Sequence, residues 1–366
     1  YDTSDEEYGK YHFVAESPEN LSEQLLAAVN NILSKTSSFT APVVPVTRTT
    51  SGDKIYMAFF KPGEGNFWEG NVTKFGISAD NQIIDANGNP ATWPNGAMKD
   101  DAVPYWATID WADNLPNSSR NIYTYLGTSV NLTNANNEFV DTNTDLTAAT
   151  LGSPTNSIAD IINYVRGADV FDEDEDGDTT DNRAVITGDV LHSEPSIFQY
   201  DYADGSSKTM VYFGANDGTL HAVLDITVGA GGSPETLYGT EAWAFIPPDQ
   251  LHRLKEMVEG VDHEHYVDST PKIFFKDVDN DGVIDTIDGD KVILVCGERK
   301  GGTSYFALDV TDPSDPQYLW RVGQYYDNRY GTIALTNMTG TWQDVLWIDH
   351  INTDDPATGS WDGYVT

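Results

Sequence analysis

The chain has 366 residues, 39% apolar and 11% aromatic, with 20 Lys and Arg against 58 Asp and Glu, for a formal net charge of −38. Such acidity excludes nucleic acid, which needs a basic footprint, and disfavours anionic lipid surfaces. The apolar and aromatic content excludes wholesale disorder, no apolar run is long enough to span a bilayer, and the single cysteine, Cys296, excludes an intrachain disulfide or a thiolate zinc site.

Residues 1–40 form an acidic lead and a helix. Leu21, Leu25, Leu26, Val29, Ile32 and Leu33 recur at helical spacing behind Ser17 as N-cap and Pro18 at the first helical position. Residues 41–366 read as strands and turns. Lys54–Phe60 and Val72–Ile77 are aromatic and β-branched runs. Residues 86–157 are polar loops with an occasional strand such as Asn121–Leu126. Ser157–Val165 is a short helix that stops at Gly167.

Residues 188–323 carry the clearest repeat. Ser193–Phe198 matches Ser269–Phe274 at an offset of 76, Met210–Gly214 matches Ile293–Gly297 at 83, His221–Asp225 resembles Phe306–Asp309 at 85, and Glu241–Phe245 matches Tyr318–Val322 at 77. Each unit reads as four short strands with a Trp on the last. Tandem units of this kind predict an all-β fold, a modified β-propeller of four-stranded antiparallel blades with a few helical insertions. A third unit begins near Tyr330 and includes Asp344–Asp349. It breaks off at Thr366, which together with the start at Tyr1 predicts that the natural chain is longer.

The offset grows by seven residues across the first hairpin of the second unit. The insertion reads Asp277-Val-Asp279-Asn-Asp281-Gly-Val283-Ile-Asp285. Ca²⁺ takes six to eight oxygens, and alternating carboxylates on a tight loop supply them. Asp277, Asp279, Asp281, the Val283 carbonyl and Asp285 are the candidate ligands, with Asp288 at the closing twelfth position. Strand-like flanks predict a calcium loop in a β-hairpin, not an EF-hand; the alternative is an ordinary acidic turn. A second candidate is Asp172, Asp174, Asp176 and Asp178, followed by Asp181. Its twelfth position is Arg183, so an acidic surface linker remains open. His263-Glu-His265 has chelating spacing, but in a loop that is a weak signal.

Several motifs resemble the PilC/PilY family of type IV pilus biogenesis and tip-adhesin proteins, in its C-terminal module. They are Tyr164-Val-Arg-Gly167, Gly188-Asp-Val-Leu-His-Ser-Glu-Pro195, Phe213-Gly-Ala-Asn-Asp-Gly-Thr-Leu-His-Ala222, Trp243-Ala-Phe-Ile-Pro-Pro248, His265-Tyr-Val-Asp-Ser-Thr-Pro271 and Tyr305-Phe-Ala-Leu-Asp-Val-Thr-Asp-Pro313. The resemblance implies a modified propeller with a calcium loop. It also implies a non-enzymatic role in pilus extension, retraction and attachment, with pilins or minor pilins and a host or abiotic surface as partners. The implied location is extracellular, at the pilus tip or outer membrane surface. The family's von Willebrand A-type domain and an Arg-Gly-Asp triplet are absent from this sequence. Two other classes stay open: a quinoprotein dehydrogenase, whose blades carry similar landmarks, and a carbohydrate-binding adhesin using exposed aromatics.

Overall fold

The structure is a computed structural model. It describes residues 53–323 apart from Glu64, Asn95 and 229–235, together with the strand residues 38–39 and 347–348. The N-terminal helix, the boundary near residue 40 and most of the third unit lie outside the described residues.

The described residues form three five-stranded sheets. The first contains β1 (Ser38–Phe39), β2 (Lys54–Lys61), β3 (Glu69–Ile77), β4 (Ile83–Ile84) and β5 (Trp106–Ala107). β2 and β3 form its long antiparallel hairpin, from Lys54 opposite Gly76 to Lys61 opposite Glu69. The second sheet contains β6 (Ile122–Thr124), β7 (Ser196–Asp201), β8 (Ser207–Gly214), β9 (Leu220–Val228) and β10 (Thr236–Ile246). The third contains β11 (Lys272–Lys276), β12 (Lys291–Gly297), β13 (Ser304–Asp309), β14 (Gln317–Gly323) and β15 (Trp347–Ile348).

β7–β10 and β11–β14 are the two repeat units, each an antiparallel meander in sequence order. Their registers superpose residue for residue. Trp243 lies opposite Ala222 in the first unit, and Trp320 lies opposite Ala307 in the second. Beside each Trp the fourth strand carries a bulge, at Ala242 and at Leu319, which share the 77-residue offset. A bulge at one place in two units is inherited geometry, since it re-aims the strand and sharpens its twist. The units thus carry the sequence-predicted four-stranded antiparallel pattern. Among the described residues no sheet closes into a barrel.

The second sheet contains a strand that the repeat does not predict. β6 runs parallel to β10, with Ile122 opposite Ala244, and covers what would be an exposed edge. The helix Ile158–Arg166 packs behind it. Ser157 caps its first turn by accepting from the Asp160 N–H, and Gly167 ends it at φ 101°, a left-handed conformation that glycine adopts at no steric cost.

One apolar core spans both repeat units and includes Tyr212, Trp243, Phe245, Leu294, Phe306 and Tyr318. The Trp243 indole N–H donates to the Pro313 carbonyl at 2.8 Å, so the landmark Trp of the first unit is anchored on the second. The first sheet is fastened to the second through Asp225. That carboxylate accepts from Lys74 at 2.7 Å, from the Trp106 indole at 3.0 Å and from the Tyr56 hydroxyl. Cys296 is buried in mid-strand, and burial pushes its thiol well up, as expected of an inert core residue.

Candidate functional sites: two carboxylate loops

The β11–β12 connection, residues 277–290, contains the first acidic run. Carboxylate oxygens of Asp277, Asp279 and Asp281 lie within 4.8 Å of one another. The backbone brings them there. Asn280 and Gly282 adopt φ of 63° and 80°, coiling the loop so that alternate side chains converge. The loop's own N–H groups then brace the carboxylates. Gly282 N–H donates to Asp277 at 2.9 Å, Asp281 N–H to Asp279 at 3.3 Å, and Val283 N–H to Asp281 at 2.7 Å. Partial desolvation raises the exposed Asp279 carboxyl above its usual range, and the charges on Asp281, Asp288 and Asp277 add to the rise.

Asp285 stands apart from that trio: its carboxylate accepts from the Ile287 N–H at 2.7 Å. The buried acid that closes the loop is Asp290, two residues beyond the EF-hand position. It accepts from the N–H groups of Asp285 at 2.9 Å and Val278 at 2.8 Å, and these bonds hold its carboxyl below the usual range. Asp288 is exposed. Between the trio and Asp285, Ile284 turns inward and is 5% exposed. It bridges Tyr202 in the corresponding hairpin of the first unit, and its N–H donates to the Asp201 carbonyl at 2.8 Å. The loop therefore joins one repeat unit to the other.

The second acidic run coils in a similar way, although Asp172 itself has φ 53°, a left-handed value that Asp277 does not share. Asp172, Asp174 and Asp176 bring carboxylate oxygens within 4.8 Å of one another. Glu175 and Gly177, at φ of 61° and 87°, correspond to Asn280 and Gly282. Gly177 N–H donates to Asp172 at 2.9 Å, Asp176 N–H to Asp174 at 3.2 Å, and Asp178 N–H to Asp176 at 2.7 Å. Each bond matches one in the first loop, an agreement that a featureless linker would not show. Asp178 itself is tied to Thr180, which its carboxylate receives at 2.9 Å from the N–H and 2.6 Å from the hydroxyl.

The base of this loop is closed by Asp169 and Asp181. Asp169 N–H donates to the Asp181 carbonyl at 2.9 Å, and the Asp169 carboxylate accepts from the Glu173 N–H at 2.9 Å. The Asp181 Oδ1 atom is buried and has no hydrogen-bond partner. Desolvation raises its carboxyl, and the charges of Asp176, Asp174, Asp178 and Asp169 raise it further. Arg183, at the twelfth position, leaves the loop altogether. Its guanidinium lies 3.9 Å from the Tyr164 ring centroid and 4.4 Å from that of Phe67.

The chelating spacing of His263 and His265 is not used by the pair together. His263 Nε2 meets Asp189 at 2.6 Å, whereas His265 turns toward Asp268. The buried His221, inside one of the resemblance motifs, lies between Asp217 at 3.0 Å and Glu241 at 2.7 Å. Arg120 completes this network with two bonds to Glu241, at 2.7 and 2.8 Å. Burial alone would lower His221, but the Asp217 and Glu241 carboxylates overcome it and raise the imidazole to about 9. Buried throughout, the network holds strands β9 and β10 to Arg120, at the start of the β6 segment.

Fold and loops define the class: an acidic all-β protein of repeated antiparallel units with two carboxylate loops of one design. The chain is 26% identical to the type IV pilus biogenesis factor PilY1 of Pseudomonas aeruginosa (strain UCBPP-PA14), over 94% of its own length and 30% of the relative's. It is 27% identical to PilY1 of strain PAK over the same shares. A PilY1 homolog of Xylella fastidiosa (strain Temecula1) is 29% identical over 58% of this chain and 18% of the relative. These matches support a PilY1-like family, and the chain spans less than a third of the length of each of these curated relatives. No family model and no solved structure matches it.

Proposed function

We propose that the chain is the calcium-binding, propeller-type module of a type IV pilus biogenesis factor. On this reading it is non-enzymatic and works outside the cell, at the pilus tip or outer membrane surface, against pilins or minor pilins and the surface to which the pilus attaches. One observation carries the calcium reading: two loops far apart in sequence fold three alternating Asp residues into similar coils with three matching N–H braces. Like charges gathered so closely repel, and a hard cation with oxygen ligands relieves them. Asp277, Asp279 and Asp281 would hold one ion, with the Val283 carbonyl and Asp285 completing its shell directly or through water. Asp172, Asp174, Asp176 and Asp178 would hold the second, with the unpartnered Asp181 oxygen turned to account there.

Calcium in this position has a mechanical consequence. Ile284 is carried by the first loop and packs against the neighbouring unit, so ordering the loop stiffens the junction between units. The propeller reading is favoured by equivalent residues that meet across that junction. The Glu194 N–H donates to the hydroxyl of Thr270, its equivalent 76 residues on, at 3.0 Å, and the Phe198 ring meets that of Phe275, next to its own equivalent Phe274, edge to face at 5.9 Å. Blades arranged about an axis place their first strands side by side in this way.

The functional test is made in the organism that produces the protein. Asp279→Ala/Asp281→Ala in the chromosomal copy is expected to reduce surface pili and attachment while the protein is still exported. Piliation and attachment equal to wild type, in a strain where the variant has lost calcium binding, would refute the role assigned to the loop.

A further inference from the structure

Where the first strands of the two repeat units begin, a second kind of site is assembled. His192 precedes β7 and Asp268 precedes β11, and the two occupy equivalent positions at the 76-residue offset. Asp189 and His265 are equivalent in the same way, with the two residue types exchanged. His192 Nδ1 lies 2.7 and 2.9 Å from the two oxygens of Asp268. His265 Nδ1 lies 3.6 Å from the nearer of them. The three donor atoms fall within 4.8 Å of one another. The Asp268 side chain is fully buried, whereas those of His192 and His265 are 24% and 22% exposed, so the cluster opens to solvent on its imidazole side.

A surrounding layer fixes these groups. Asn216 Nδ2 approaches His265 Nδ1 at 3.4 Å, and its Oδ1 accepts from the Tyr266 N–H at 2.9 Å, pinning the backbone next to His265. Asp189, itself buried, holds Asn216 at 2.7 Å and His263 Nε2 at 2.6 Å. The indole of Trp68 stacks on His263 with ring centroids 4.0 Å apart. The Asn216 amide meets the same His265 Nδ1 lone pair that a metal would take, so a bound ion displaces that contact, while the Tyr266 N–H bond to Asn216 still positions the backbone beside His265.

We propose that His192, His265 and Asp268 bind one borderline divalent transition metal of the Zn²⁺ type, with solvent in the remaining position. Two imidazole nitrogens and one carboxylate suit such an ion, whereas Ca²⁺ calls for six or more oxygens. Bonds of about 2.0–2.1 Å in a tetrahedron set donor atoms about 3.3 Å apart. The His192–Asp268 contact therefore opens by roughly half an ångström on binding, and the His265 contact already fits. The ion would tie together the entries of two adjacent units, independently of both acidic loops. Without a metal, His192–Asp268 is a hydrogen-bonded latch, which is the competing account of the same atoms.

The test uses the whole calcium-saturated chain and Co²⁺, whose d–d absorption reports its coordination. The expected result is one saturable Co²⁺ per chain, with a four- or five-coordinate spectrum that Zn²⁺ displaces. His192→Ala and His265→Ala should each weaken it by about a hundredfold or more. Asp279→Ala/Asp281→Ala should leave it intact. Should His192→Ala fail to fold, His265→Gln at the solvent-exposed edge carries the test. No saturable Co²⁺ signal in wild type, or binding retained in both histidine variants, overturns the proposal and leaves the latch.

Discussion

The two acidic loops share a coil and differ in how they are fastened. Loop 277–290 joins two strands of a repeat unit, buries Ile284 in the core that both units share, and closes on Asp290, whose carboxylate is satisfied by backbone N–H groups. Loop 172–181 follows a helix, closes through a short backbone bridge, and leaves a buried oxygen of Asp181 unsatisfied. The first is held by apolar packing even without an ion; the second is held by polar contacts around an uncompensated charge. The trio of carboxylates is thus a local property of the sequence, while its mechanical importance depends on what the rest of the loop touches.

The largest expected effect comes from cutting that fastening. Ile284→Ala should lose about 2–5 kcal/mol of stability in denaturant unfolding, as buried large-to-small changes do. Val278→Ala, in the same loop but exposed, should be close to neutral. Equal costs would mean that Ile284 does not join the units.

Next is the calcium-linked share. At an ion concentration about a hundredfold above the dissociation constant, each occupied loop adds about 2.7 kcal/mol. Asp279→Ala/Asp281→Ala should remove one such share and Asp174→Ala/Asp176→Ala the other. The two losses should add, because the loops share no hydrogen-bonded residue. Thermal unfolding in calcium and in chelator measures both, and strongly non-additive losses would show that the loops are coupled.

The pH dependence of the metal-free protein separates loop chemistry from core chemistry. His221 is raised from its ordinary 6.5 to about 9, so its contribution is full below about 6.5 and fades as pH rises through about 9. Glu241 is lowered to about 2, chiefly by Arg120 acting against burial, so its contribution is present above its ordinary range and fades as pH falls toward about 2. Stability should peak in mildly acidic solution, and His221→Gln should flatten the alkaline limb. An unchanged alkaline limb in that variant would assign it to another group.

The smallest effects are conformational. Gly282→Ala and Gly177→Ala meet no atom within 4 Å, so each should cost about 1 kcal/mol through positive φ alone, equally with and without calcium. A large difference between the two would break the equivalence of the coils.

Much of this architecture was legible in the sequence because it is local or repeated. The four offsets locate both units and their Trp positions, and the seven-residue growth between the first two locates the loop insertion. The helix 158–166 is announced by Ser157 and Gly167, and the core placement of Cys296 by its apolar neighbours. What escaped depends on long-range placement. Three residues, Ile122–Thr124, cannot announce a parallel partner more than a hundred residues away. EF-hand counting points to Asp288 and to Arg183, but each loop returns into a hairpin or bridge instead of a helix, so Asp290 and Asp181 fall inside. The 76-residue offset that pairs His192 with Asp268 was available in the sequence. The exchange of His and Asp at those positions disguised it as a mismatch.

The central claim is that both loops are calcium sites of one design. Calorimetric titration of chelator-stripped chain with Ca²⁺ tests it directly. The account predicts two ions per chain, falling to one in Asp279→Ala/Asp281→Ala, to one in Asp174→Ala/Asp176→Ala, and to none when all four are replaced. A wild-type chain that takes up no calcium, or a four-fold variant that still takes up two ions, would contradict it.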